Sequence, residues 1–87
     1  MKKLEFYSAR YCGKCRALKR RLSDLEQELS KIKIVIVDID IDRVKSRANF
    51  VDGVPTLIYY KDEKEVSRVS GSIFEEDILN LIAEEKI

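Results

Sequence analysis

The sequence predicts a single α/β domain over residues 1–87, with a four-stranded mixed sheet flanked by helices. Three observations lead to this fold class. The 87 residues are 45% hydrophobic, which is enough for one core. A leucine-striped helical segment lies between two strand-like segments, a unit that is parallel and right-handed. Two more strand-like segments are joined by a short polar turn, so antiparallel pairing is expected as well.

The first two elements are a strand and an amphipathic helix. In the strand, residues 2–7, Leu4 and Phe6 lie on one face, and the pleat turns Glu5 and Tyr7 to the other. A short loop follows. In the helix, apolar residues recur at steps of three and four, which places on one stripe Cys15, Leu18, Leu22, Leu25 and Leu29. The stripe predicts a helix that packs against the core along this whole length.

The next two elements are a buried strand and a short helix. Residues 32–41 are rich in Ile and Val, and the uninterrupted apolar run at 34–37 predicts a strand covered on both faces, as in a parallel sheet. Residues 43–50 predict a short helix with Val44 and Ala48 four positions apart on one side.

A hairpin and a third helix complete the chain. Residues 56–60 and 65–70 predict strands, joined by a polar turn at 61–64. Ser72 and Glu75 fit a capping box at the start of the last helix. The apolar face of that helix is formed by Phe74, Ile78, Leu81 and Ile82. The predicted order is therefore β-α-β-α-β-β-α.

Composition excludes several classes of function. With 17 basic and 16 acidic side chains the chain has a formal net charge of +1, so a nucleic-acid binder, which is usually strongly basic, is not expected. Apolar runs are too short for a membrane span or a signal peptide, which predicts a cytoplasmic protein. The absence of histidine removes histidine-based nucleophile activation and every histidine-containing zinc site.

The two cysteines carry the chemistry. Cys12 and Cys15 enclose Gly13 and Lys14, and the motif lies between the first strand and the striped helix. Such a pair can close a disulfide across one helical turn. The first sulfur then meets the unpaired N–H groups and positive end of the helix, which favour the attacking thiolate. Because Cys15 lies on the buried stripe, Cys12 is predicted to attack the substrate and Cys15 to resolve the mixed disulfide.

Two other interpretations of the cysteines remain open. The pair supplies half of a four-thiolate zinc or iron–sulfur site, so a metal-binding or metal-carrying module completed by a second chain is the alternative function. The cysteines can also be purely structural. The β-α-β surroundings favour the redox interpretation.

The sequence resembles the thioredoxin superfamily over nearly its whole length. The resemblance is carried by the first strand, the Cys-Gly-Lys-Cys motif, the tripeptide Val54-Pro55-Thr56, and Gly71 before the last helix. It implies a minimal thioredoxin fold of thioredoxin or glutaredoxin type and a dithiol–disulfide oxidoreductase. It further implies a cis proline at Pro55 that faces the disulfide, and a substrate-binding surface at Val54, Pro55, Thr56 and Gly71.

The partners can also be predicted from the resemblance, and three residues of this sequence differ from the family pattern. The expected partners are disulfide-containing protein substrates and an upstream reductase, with no cofactor beyond the Cys12–Cys15 pair, no metal, and a monomeric state. The sequence departs from typical thioredoxins beside the motif. Tyr11 replaces a tryptophan, Lys14 a proline, and Phe6 the aspartate six residues before the first cysteine.

Overall fold

The computed structural model describes residues 1–83, so the last residues of the predicted domain, 84–87, lie outside the described part. The elements occur in the predicted order. Their bounds are β1 Lys2–Ser8, α1 Gly13–Asp24, β2 Lys33–Asp38, α2 Arg43–Ala48, β3 Thr56–Lys61, β4 Lys64–Ser70 and α3 Glu75–Ala83.

The four strands form one mixed sheet in the order β2-β1-β3-β4. Strand β1 pairs with β2 in parallel, with Phe6 opposite Ile36. On its other side β1 pairs with β3 antiparallel, with Phe6 opposite Leu57. The hairpin β3–β4 is antiparallel as well. The predicted fold class, a four-stranded mixed sheet flanked by helices, is confirmed.

The main core lies between one face of the sheet and helices α1 and α3. Strand β1 contributes Leu4 and Phe6, and α1 contributes Cys15, Leu18 and Leu22, all of them buried. Burying a leucine or phenylalanine completely is worth about 1.5–3 kcal/mol. The predicted stripe of α1 therefore faces the core and fixes the helix over β1.

Helix α1 ends earlier than its apolar stripe predicts. The regular helix stops at Asp24, and tighter bonds follow, among them the Glu26 N–H to the Ser23 carbonyl. Leu25 and Leu29 are nevertheless buried in the main core. Irregular turns bring these two side chains to the core-facing side, where a continued helix would also have placed them. The apolar period therefore predicted their burial correctly, although it predicted too long a helix.

Strand β2 is an edge strand, and the prediction that both its faces are covered is wrong. It spans Lys33–Asp38 rather than 32–41, and Ile36 is 52% exposed. Val37 is buried on the opposite face. Strand β2 lies at the edge of the sheet and pairs with β1 alone. Within residues 1–83 no helix covers Ile34 and Ile36 fully, so both side chains remain partly exposed although they belong to an apolar run.

Helix α2 is oriented differently from the sequence prediction. Val44 and Ala48 are exposed, and Ser46 is the buried residue. The helix ends in a pair of bonds typical of a Schellman motif, from the Phe50 N–H to the Arg47 carbonyl and from the Val51 N–H to the Ser46 carbonyl. Phe50 has a φ of 56° in this motif, a left-handed conformation that costs a non-glycine residue roughly 1–2 kcal/mol.

The hairpin has a two-residue turn, and α3 is capped differently from the prediction. Asp62 and Glu63 both have positive φ, as a tight hairpin turn requires. At α3 the Phe74 N–H donates to the Asp77 carboxylate at 2.8 Å, so Ser72 and Glu75 do not form the predicted capping box.

The apolar face of α3 differs from the prediction at one residue. Ile78 and Leu81 are buried as predicted, but Phe74 is exposed, and Ile73 is buried in the core instead. The Arg21 guanidinium lies over the Phe74 ring at 4.3 Å from its centre. The ring therefore covers the surface between α1 and α3 rather than entering the core.

The second face of the sheet holds a buried ionic network around Glu5, which is 2% exposed. The Tyr7 hydroxyl donates to Glu5 Oε1 at 2.8 Å, and Asn49 Nδ2 donates to the Tyr7 hydroxyl at 2.7 Å. Lys3 and Lys45 place Nζ 3.2 and 3.1 Å from Glu5 Oε2. Through these bonds β1 is tied to the C-terminal end of α2.

Ionised Glu5 is stabilised by this network. Burial raises the pKa of Glu5, but hydrogen bonds from Tyr7, Lys45 and Lys3 outweigh it and hold the pKa below its ordinary value of 4.5. Burial, followed by the hydrogen bond to Glu5, raises the pKa of Tyr7 far above its ordinary value, so Tyr7 remains a neutral donor.

Replacing Glu5 by Gln should lower the free energy of unfolding by about 1–3 kcal/mol at neutral pH, because two ammonium groups lose a buried anion. A lowered folded-state pKa stabilises the protein above the unfolded-state pKa, and this contribution is lost as pH falls through the folded-state value. The difference between wild type and Glu5→Gln in urea unfolding should therefore shrink below about pH 4.5. A difference that stays constant down to acid pH would contradict this account.

Candidate active site

The candidate site begins where β1 ends. The chain leaves the sheet at Ser8, and Cys12 occupies the N-cap of α1 with extended backbone angles. The Cys15 N–H donates to Cys12 Sγ at 3.1 Å. The sulfur of Cys12 therefore caps the N-terminus of α1. It accepts the hydrogen bond that the side-chain oxygen of a Ser or Asp usually accepts at an N-cap.

The two sulfurs are bonded to each other and differ in exposure. Cys12 and Cys15 form a disulfide with their Cα atoms 5.2 Å apart. Cys15 is 4% exposed and lies in the main core, whereas Cys12 is only partly buried at its edge. An incoming sulfur can therefore reach Cys12 more readily than Cys15, which is the asymmetry that the helical stripe predicts.

The other motif residues surround Cys12 at the surface. Tyr11 is 91% exposed, and Gly13 and Lys14 are exposed as well. A Cβ added to Gly13 would meet no heavy atom within 4 Å, so the chain itself does not require glycine there. The glycine leaves open space beside the reactive sulfur.

The segment that carries Cys12 and most of α1 is strongly cationic. The segment 10–21 contains no acidic residue and carries six basic side chains: Arg10, Lys14, Arg16, Lys19, Arg20 and Arg21. We call these six residues the basic cluster. Arg21 also donates to the Ile73 carbonyl at 2.9 Å, whereas Lys14, Arg16, Lys19 and Arg20 are exposed.

The loop before β3 carries the residues that the family resemblance assigns to substrate binding. The Val54–Pro55 peptide bond is cis, as the family resemblance implies. Gly71, with a φ of 87°, donates its N–H to the Pro55 carbonyl at 3.1 Å. The Thr56 hydroxyl donates to the Gly53 carbonyl at 2.7 Å. Val54, like Cys12, packs against the main core.

Cys15 lies in the apolar main core, at a small cavity whose lining also includes Arg16 and Lys19 but no acidic side chain. Phe6 and Leu18 belong to the same buried cluster, while the carboxylate of Glu5 faces the opposite side of the sheet. Within residues 1–83 there is no group of three or more His, Cys, Asp or Glu side chains that could hold a metal ion. In the same range no helix is long and apolar enough to cross a membrane.

Sequence comparison identifies the family. The model of the thioredoxin family matches residues 3–84. The chain belongs to the thioredoxin family. It is 38% identical to thioredoxin of Chlamydia caviae over 79 residues, which are 91% of this chain and 76% of the relative. To thioredoxin H-type 1 of Nicotiana tabacum it is 34% identical over 70 residues, or 80% of this chain and 56% of that one.

Solved structures agree with this assignment. A mutant thioredoxin of Halobacterium salinarum superposes with a TM-score of 0.84 at 29% identity, covering 94% of this chain and 72% of its own. Fasciola hepatica thioredoxin superposes with a TM-score of 0.85 at 28% identity, covering 94% and 78%. The protein is a thiol–disulfide oxidoreductase with a Cys-x-x-Cys site, and nothing in these comparisons supports the metal-binding alternative.

Two residues near the site were not predicted from the sequence. Phe50 is exposed beside the cis-proline loop, and Arg68 donates to the carbonyls of Asn49 and Phe50 at 3.0 and 3.4 Å. Neither residue belongs to a motif. Only the folded chain brings β4 next to the end of α2, so no local pattern could have indicated them.

Replacing Cys15 by Ser should trap a mixed disulfide between Cys12 and a protein substrate. The attacking sulfur remains, and the sulfur that releases the substrate is lost. Non-reducing electrophoresis after incubation with a disulfide protein measures the adduct, and the matched Cys12→Ser variant should form little of it. More adduct with Cys12→Ser than with Cys15→Ser would reverse the two roles.

Proposed function

We propose that the protein reduces disulfide bonds of other proteins in the cytoplasm, as a monomer that an upstream dithiol reductase recharges. The observation that carries the proposal is the unequal exposure of two bonded sulfurs at the start of α1. The cytosol supports this role because it keeps thiols reduced. Because such a dithiol–disulfide cycle passes electrons between thiols, we also propose a role in electron transport and redox homeostasis.

The proposed cycle needs only the two cysteines. In the reduced protein the Cys12 thiolate attacks one sulfur of the substrate disulfide. A Cys12–substrate bond forms, the substrate disulfide breaks, and its leaving sulfur takes a proton. Cys15 then loses its proton and attacks Cys12 Sγ, which forms the Cys12–Cys15 disulfide and releases the second substrate thiol. Two electrons and two protons pass to the substrate, and no metal or organic cofactor takes part.

The N-terminus of α1 favours the first step. The Cys15 N–H that reaches Cys12 Sγ can donate to a thiolate, and the positive end of the helix dipole lies beside it. The disulfide is uncharged and gains little from either interaction. Both features therefore stabilise the reduced, ionised form of Cys12.

The proposed substrate surface consists of the cis-proline loop and its neighbours. Pro55 has no N–H, whereas Val54 carries a backbone N–H and C=O that an extended peptide can pair with. Gly71 closes the loop from the β4 side, and Thr56 fixes its other end through Gly53. Tyr11, which directly precedes Cys12, offers an exposed aromatic ring.

The function is tested by turnover with insulin as the protein disulfide and dithiothreitol as reductant. We expect wild type to accelerate insulin reduction and Cys12→Ser to be inactive. The purified protein should take up two electrons in an anaerobic titration without stoichiometric zinc or an iron–sulfur absorption band. A metal-loaded protein without disulfide reductase activity would refute the proposal.

The basic cluster favours acidic partners. The chain as a whole has a net charge of +1, so the six cations of 10–21 are balanced mainly by acids elsewhere. A cationic surface on the helix that begins at Cys12 raises the rate of encounter with anionic partners and lowers it for cationic ones. We therefore propose that the preferred substrates carry acidic residues near the disulfide.

The variant Arg16→Glu/Arg20→Glu should lower kcat/KM for a Glu-rich disulfide peptide roughly tenfold at low ionic strength and raise it for a Lys-rich one. Added salt should reduce both effects. Lys31→Glu/Lys64→Glu is the matched control. It changes the net charge equally at the opposite end of the sheet, since β2 and β4 both begin there. If the two double variants changed kcat/KM for the two peptides equally, the basic cluster would not be the cause of the preference for acidic substrates.

A further inference from the structure

Phe50 combines a strained backbone with an exposed aromatic ring. Its φ of 56° is one that a bulky residue rarely adopts. Glycine or asparagine is usual at this place behind a helix. The ring is 81% exposed, so the folded chain recovers little of the backbone cost through burial.

The local structure does not require a ring at residue 50. The Schellman bonds that end α2 join backbone atoms only, and glycine would make both of them. Val51, the next residue, supplies the apolar contact by packing against Tyr7 and Ile58. A strained residue without a structural reason for its side chain is a candidate for a functional one.

The ring lies on a groove that reaches the proposed substrate surface. The groove has a volume of about 340 Å³. It runs between the α2–β3 connection and the end of β4, and its lining includes Phe50, Val51, Val54, Arg68 and Gly71. Two of these residues, Val54 and Gly71, flank Pro55. A peptide that pairs with Val54 therefore has this groove directly beside it.

The backbone that carries the ring is held from two sides. Asn49 donates to the Tyr7 hydroxyl at 2.7 Å and so joins the network of Glu5. Arg68 donates to the Phe50 carbonyl from β4, and Glu65 holds the Arg68 guanidinium with two bonds of 2.7 Å. An exposed ring on a fixed backbone loses little conformational freedom when a partner binds.

We propose that Phe50 is a specificity-determining residue that contacts an apolar side chain of the substrate segment next to the attacked disulfide. The inference rests on the proposed function and assigns part of its substrate preference. The substrate is the occupant because the groove shares Val54 and Gly71 with the proposed substrate surface. Its contacting side chain is apolar because Phe50, Val51 and Val54 form the apolar part of the wall.

The test compares two disulfide peptides that differ only in Leu or Ser at the residues flanking the cysteine. Wild type should prefer the Leu peptide roughly tenfold in kcat/KM, a typical effect of one buried aromatic contact. Phe50→Gly and Phe50→Ala should both lose this preference, and Phe50→Tyr should keep it. All variants should reduce hydroxyethyl disulfide at the wild-type rate, since that substrate does not reach the groove.

Urea unfolding of the variants distinguishes the effect of the Phe50 ring from the effect of its strained backbone. Phe50→Gly should raise the urea midpoint, while Phe50→Ala should not, because alanine keeps the left-handed strain. Glu63→Gly is the control: it relieves a φ of 69° in the β3–β4 turn and should raise the midpoint without changing the peptide preference.

Three results would overturn the inference. Phe50→Gly could retain the full Leu preference, or it could lower the urea midpoint, which would make the ring structural. Wild type could sediment as a dimer that Phe50→Gly dissociates, which would make a second copy the occupant. A wild-type protein that reduced neither peptide nor hydroxyethyl disulfide would instead refute the proposed function itself.

Discussion

The alternation of side chains along β1 is the constraint on which the rest of the structure depends. A strand sends successive residues to opposite faces of its sheet. Leu4 and Phe6 therefore enter the core beneath α1, and Glu5 and Tyr7 enter the other face. Because β1 is paired on both sides, this alternation cannot slip by one residue without exchanging a buried carboxylate for a buried phenyl ring.

The two faces contribute differently to the site. The apolar face holds α1, so that Cys15 is buried and Cys12 is left at the helix end where an N–H reaches its sulfur. The charged face holds the end of α2 through Tyr7 and Asn49, and Arg68 holds the same segment from β4. The sulfurs and the end of α2 are thus positioned from opposite sides of one strand.

Local patterns predicted the order of the elements, the burial of Cys15 and, through family resemblance, the cis bond before Pro55. These features depend on residues close in sequence or on a recognisable motif. The exposure of Ile36 depends on which strand lies at the sheet edge, and the exposure of Val44 depends on how α2 meets the sheet. The Phe74 ring lies outside the core because Ile73 occupies that place. Tertiary packing decides these outcomes, and the periodicity of apolar residues carries no information about it.

The central claim is that Cys15, the cysteine proposed to resolve the mixed disulfide, lies in a buried apolar cluster that contains Phe6 and no carboxylate. The most direct measurement is the stopped-flow rate at which Cys15 resolves the mixed disulfide on Cys12, followed from about pH 6 to pH 9 across the range in which thiols ionise. With no carboxylate in the buried cluster of Cys15 to take its proton, the rate should rise steadily with pH as the thiol loses its proton to water. A rate that is flat over this range would contradict the account.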